Sequence, residues 1–209
     1  MGAVQQDLEV IQGKTFAASF GWAQGKFVWK PITGVSNGAP VALTVVGHDL
    51  KGDWPYWVSG IKKPGCLNNW ADGCPGVSEP VIGDPYIAEV LDVDTLSINH
   101  INGMELDAYT SGGVIRYYAR ADITGYEAVM QVRASITSDT VLFEALSTGA
   151  DPLIIVDPVT ATFGLTIPDD AFAAATFREA VYEIEITAPT GEKYRLAYGA
   201  VSLCRELVK

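Results

Sequence analysis

Basic residues are scarce in this chain of 209 amino acids: 14 Lys and Arg face 25 Asp and Glu, for a formal net charge of −11. A surface of that sign repels phosphate backbones and anionic lipid, so nucleic acid is not an expected partner. Long apolar runs are missing as well. None approaches the roughly 18 residues a membrane helix requires, and the opening Met1-Gly2-Ala3-Val4-Gln5-Gln6-Asp7 has neither a basic nor an apolar region. The expectation is a soluble chain, synthesised in the cytoplasm, with no membrane insertion. Cysteine is rare and odd in number: there are three, which speaks against the disulfide framework of a small secreted domain. Cys66 and Cys74 lie eight positions apart, too far for a Cys-x2-4-Cys zinc knuckle, and read as free loop thiols or as a loop disulfide formed on oxidation. Cys204, among Val201, Leu203 and Leu207, reads as a small core residue.

Helical periodicity is nearly absent, whereas apolar residues alternate with polar ones along the whole chain, the mark of half-buried strands. Phe16, Ala18, Phe20 and Trp22 share one face; Tyr126, Ala128, Met130 and Val132 share another; Phe163, Leu165 and Ile167 a third. Tyr182, Ile184 and Ile186 lead through the turn Pro189-Thr190-Gly191 into Tyr194, Leu196 and Tyr198, which reads as a hairpin. One short helix is expected, over Ala171–Ala175, with Asp169 and Asp170 at its N-terminus where the helix dipole favours acids. The fold class expected is all-β, a sandwich or barrel-like domain.

Between Pro31 and Tyr118 the texture changes, with clustered aromatic and Gly residues and broken apolar runs. Strands are expected at 40–46, 56–61, 86–90, 95–98 and 114–118, with a long irregular loop over 62–84. Because the flanking segments are alike in style, residues 32–118 read as a small β module inserted into one β domain built from 1–31 and 119–209.

Several motifs bear a family likeness. Asp122-Ile-Thr-Gly-Tyr126, Ala128-Val-Met-Gln-Val-Arg133, Asp139-Thr-Val-Leu142 and Glu144 resemble a recurrent pattern of tailed-bacteriophage tail and baseplate proteins. The similarity is to the small N-terminal β domain by which upper-baseplate proteins join the virion. It runs on through Ala161–Ile167, Tyr182–Ile186 and Gly191–Leu196 to Gly199-Ala-Val201, and Gln12–Phe16 with Phe20-Gly-Trp22 fit its first strands. Within the insertion, Gly47-His-Asp-Leu50, Val58-Ser-Gly-Ile61, Leu67-Asn-Asn69, Asp94-Thr-Leu96 and Ala108–Gly113 are similar to a small β module of phage structural proteins. That module takes its usual name from a half-domain of ubiquitin-activating enzyme, and the likeness implies a fold, not ubiquitin chemistry. Trp54-Pro-Tyr-Trp57 and the segment 69–84 are longer and more aromatic than the module's usual loop.

Catalysis finds few materials. Only two histidines are present. His48 stands beside Asp49 but no nucleophile-elbow sequence accompanies them, and His100 reads as a strand-end residue bonded to backbone. Asp92-Val-Asp94 would project both carboxylates from one strand face, as calcium or a glycosidase pair needs, or else would form a turn before Thr95. Neither a metal nor a cofactor is expected. Trp54, Tyr56, Trp57 and Trp70 form the candidate interface: such rings could be core, could anchor a protein contact, or could stack on sugars.

The gathered expectation is a non-enzymatic structural component of a tailed-phage virion, at the tail tip, collar or baseplate. It would dock other tail, baseplate or fibre proteins and act in multiple copies, as a homo-oligomer or ring. The alternative from a different class is a glycan-binding module for host-surface recognition.

Overall fold

The computed structural model describes residues 3–71, 81–173 and 175–205, and among them the chain is all-β, with no α-helix. The first strands are β1 (Val4–Gln5), β2 (Leu8–Ile11), β3 (Phe16–Gly21), β4 (Ala23–Pro31) and β5 (Gly34–Val35). They are followed by β6 (Val41–Thr44), β7 (Pro55–Ile61), β8 (Trp70–Ala71), β9 (Val81–Ile82) and β10 (Tyr86–Ile87). Next come β11 (Glu89–Asp92), β12 (Thr95–Ile98), β13 (Gly112–Arg120), β14 (Glu127–Arg133) and β15 (Val141–Leu146). The chain closes with β16 (Ile154–Asp157), β17 (Thr162–Ile167), β18 (Glu179–Thr187) and β19 (Lys193–Cys204).

These strands form two compact units, one of Met1–Ala23 with Arg120–Lys209, the other of Gln24–Ala119. The sequence places the boundary at 31/32 and 118/119. The difference lies in β4, which neighbours β13 in a sheet of the middle unit.

The outer unit has a six-stranded sheet, ordered β1-β19-β18-β14-β15 with β2 also on β19, and a three-stranded sheet, β16-β17-β3. No sheet closes into a barrel; the arrangement is sandwich-like. Alternation sets which face is buried: Ala180, Tyr182, Ile184 and Ile186 of β18, Ala128, Met130 and Val132 of β14, and Phe163, Leu165 and Ile167 of β17 all enter one core. Slipping β18 by one residue would exchange that row for its glutamates, so the register is strongly specified. Each Val, Leu, Ile, Phe or Met side chain among them contributes about 1.5–3 kcal/mol on burial. The β18–β19 hairpin turns where Pro189-Thr190-Gly191 predicts, Gly191 taking φ 89° and its amide donating to the Ala188 carbonyl at 2.8 Å. β1 and β2 run parallel to β19 and close its edge. Between them the chain passes so near Gly199 that a Cβ there would strike the Gln6 carbonyl. The Asp7 carboxylate accepts the Ala200 amide at 2.9 Å.

The expected helix over Ala171–Ala175 is not formed. Its place is taken by turns, with amides of Ala171, Ala173 and Ala175 donating to carbonyls three residues back. Two causes combine. The segment is too short to offset helix nucleation, and the Gln12 side-chain amide donates to the Phe172 and Ala173 carbonyls, each at 2.9 Å. The turns drive Phe172 into the core against Phe143 and Phe177, with ring centres 4.9 and 5.6 Å away.

The middle unit has a sheet ordered β10-β7-β13-β4, another ordered β11-β12-β6-β5, and a separate two-stranded β8-β9 pair. Tyr56 and Val58, Ile115 and Tyr117, Val41 and Leu43, and Leu96 and Ile98 are among its buried apolar residues. The strand expected over 86–90 is broken at Ala88: β10 pairs with β7 and β11 pairs with β12, so the chain crosses from one sheet to the other. Buried Ala88 marks the crossing by exchanging backbone bonds with Trp54 and Asp53.

Candidate functional site

The aromatic residues singled out in the sequence separate by strand parity. On β7, Tyr56 points inward and is fully buried, whereas Trp57 lies on the opposite face, half-buried. Trp54, just before the strand, is 5% exposed and donates its indole N–H to the Tyr118 carbonyl at 2.8 Å. Trp54 and Tyr56 are therefore buried in the interior of the middle unit, which for these two rings is the core alternative of those the sequence leaves open. Trp57 and Trp70 come together on the outer face, their ring centres 5.6 Å apart and nearly perpendicular.

Four residues the sequence reading left aside complete that face. Phe27 stacks on Tyr118 with ring centres 4.2 Å apart and meets Trp70 edge-on at 5.8 Å. The Arg116 guanidinium, only 2% exposed, lies over Trp29 at 4.0 Å and over Trp70 at 4.4 Å, and donates to the Ser59 hydroxyl at 2.9 Å. A cation held between two indole faces is attracted by both ring quadrupoles, and more strongly where water is excluded. The signal was the alternation in Phe27-Val28-Trp29 and Arg116-Tyr117-Tyr118, which puts each outer pair on one sheet face. What a sequence could not display is that β4 and β13 are neighbours.

The loop over this face is tied down by two asparagines. Asn68 Oδ1 accepts the Ile61 amide at 2.9 Å and Asn69 Oδ1 accepts the Val58 amide at 2.7 Å. Asn68 Nδ2 donates to the Ile61 carbonyl and Asn69 Nδ2 to the Asp84 carbonyl. Their amides thus replace a neighbouring strand along the second half of β7, while β10 pairs with its first half. The Trp57 indole N–H closes the arrangement by donating to the Gly83 carbonyl at 3.0 Å. Trp29, 53% exposed, is the ring of this cluster most open to solvent.

The residues considered for chemistry have structural partners. His48 is buried, with Nδ1 accepting the Leu50 amide at 3.0 Å and Nε2 facing the Asp92 carbonyl at 3.0 Å. A ring protonated on Nε2 satisfies both, and the Tyr117 hydroxyl donates to the His48 carbonyl. Asp49, with φ 57°, turns outward to Lys30 at 3.4 Å. Asp92 and Asp94 form a turn and not a paired strand face: Asp92 Oδ1 accepts the Asp94 amide at 2.8 Å and Asp94 Oδ1 accepts the Gly47 amide at 2.7 Å. The Asp94 amide, then the Thr95 hydroxyl, hold the Asp92 carboxyl below its ordinary range. His100 is exposed beside Tyr86, ring centres 5.7 Å apart, at the rim of an open groove with Ile87 and Glu89.

Cys204 is exposed, not core, because the end of β19 carries it outward beside Glu9, whose carboxylate pushes the thiol up. Cys66 is exposed in its loop; Cys74, and with it the question of a loop disulfide, lies outside the described residues. Among the described residues no three His, Cys, Asp or Glu side chains gather to hold a metal, and no helix is long and apolar enough to cross a membrane. No protein-family model matches the chain, and no curated protein matches it.

Proposed function

We propose that the chain is a structural component of a tailed-phage virion, an adaptor at the tail tip, collar or baseplate that docks neighbouring tail or fibre proteins, and that it is not an enzyme. The observation that supports this most is the nesting of one β unit inside another, Gln24–Ala119 between Ala23 and Arg120. It joins the two parts of the chain that resemble phage structural modules. An adaptor needs rigid β surfaces with strand edges and patches for partners, and an acidic chain favours partners with basic patches. Multiple copies in a ring would let weak single contacts add. Particles assembled without this chain should lack a tail or fibre component by mass spectrometry. Complete, infectious particles formed in its absence would overturn the reading.

One observation favours the second reading, a glycan-binding module for host recognition. Trp29 presents an open indole held flat by Arg116 beneath it, the kind of preorganised face on which a sugar ring stacks. Micromolar binding of a host-surface polysaccharide by the whole chain, lost in Trp29→Ala and Trp57→Ala, would support it in place of the adaptor.

A further inference from the structure

The outer unit leaves the edge of one sheet, at β15, open along most of its length. β15 ends the six-stranded sheet, and its far side pairs with no described strand. Among the described residues, the Leu146 carbonyl there is taken, by the Leu153 amide at 3.0 Å. Soluble proteins guard such edges with Lys, Pro or charged side chains, because an open ladder templates another strand. In the middle unit, the β4 edge carries Lys26, Lys30 and Pro31. In the outer unit, β1 and β2 have Asp7 between them and Glu9 within β2, beside exposed Val4 and Ile11, and the three-stranded sheet ends on β3, which shows Ala17, Ser19 and Gly21 outward, and on β16. β15 exposes three large apolar residues, Val141, Leu142 and Leu146, at 38%, 41% and 40%, with one charge, Glu144.

The neighbourhood extends the same character. Ile136, in the connection leading into β15, is 89% exposed, and Ile155 of the following strand β16 is 56% exposed. Over residues 134–160 there are four acids, Asp139, Glu144, Asp151 and Asp157, and no Lys or Arg. Arg120 and Arg133 reach this segment from outside it, donating to the Val159 and Ser138 carbonyls. A second copy of the chain would set Glu144 on this edge, and Asp139 just before it, against the same acids, a like-charge juxtaposition that costs affinity. A basic strand meets the opposite charge and the same apolar side chains.

We propose that β15 is a strand-addition site for an extended segment of another virion protein, one that alternates apolar residues with Lys or Arg. The added strand pairs with the backbone from Val141 to Ala145 and packs its apolar side chains on Leu142, Leu146 and Ile136. This rests on the virion reading above and names the partner chemistry of that adaptor.

The test uses particles from cells in which the full chain is replaced by variants, with copies per particle counted by mass spectrometry. Leu142→Lys with Leu146→Lys places guards on the edge; Ile136→Lys changes a side chain so exposed that folding cannot depend on it. Both should leave the melting temperature of the purified chain unchanged and lower incorporation at least tenfold. Wild-type chain missing from particles would defeat the virion reading itself. Wild-type and both variants incorporated equally would overturn the edge proposal alone, as would a purified chain that dimerises through β15 in wild type and not in the double variant.

Discussion

The Ala121 amide donates to the Trp22 carbonyl at 3.1 Å, although the whole middle unit, Gln24–Ala119, lies between them in sequence. Trp22 in turn donates to the Ala161 carbonyl at 2.9 Å, so both ends of the interruption are fastened to the outer unit. An inserted module whose ends are this close can be removed without stretching its host.

Removal of 24–119, with Ala23 joined to Arg120 by a short Gly-Ser linker, should therefore leave a soluble, cooperatively melting β protein. Circular dichroism checks it. A disordered or helix-rich product would show that the outer unit depends on the insertion.

The buried Trp54 and the half-exposed Trp29 should respond differently to truncation. Trp54→Ala empties core volume and loses the bond to Tyr118, at a cost of about 3–5 kcal/mol. Trp29→Ala removes one face of the Arg116 stack at a half-exposed site and should cost about 0.5–1 kcal/mol. Denaturant melts of the two variants measure the difference.

Alkali should find late phenols, Tyr182 and Tyr56 foremost. Burial first, then Asp7, pushes the Tyr182 hydroxyl from 10.0 up to about 12, and burial followed by Tyr86 raises Tyr56 as well. A phenol whose folded pKa is raised keeps its stabilising contribution below the unfolded value of 10.0 and loses it as pH rises through about 12. Ultraviolet titration should show Tyr182 ionising only as the fold is lost. Tyr182→Phe should flatten that part of the pH–stability curve, and at neutral pH should cost about 1 kcal/mol for the bond to the Gln6 carbonyl.

Strand alternation made most of the outer unit legible. In β14, β17 and β18 every second residue is apolar and every such residue is buried, so a period of two read along the chain is the core itself. The segment after Pro168 misled because a run of alanines after two aspartates has helical propensity, while the Gln12 bonds that hold it in turns come from the other end of the chain. At the aromatic site, Trp57 and Trp70 were legible as residues but not as a place. Residue type alone does not tell Trp54 from Trp57; the parity of β7 does, and the partners Phe27, Trp29 and Arg116 arrive from strands whose adjacency is tertiary.

The central claim is that this chain is built into the tail of a virion. A cryo-EM map of the assembled particle tests it most directly. The account expects density for the two nested β units at the tail tip, collar or baseplate, in several symmetry-related copies; a map whose tail is fully assigned to other chains, from particles in which this one is absent, would contradict it.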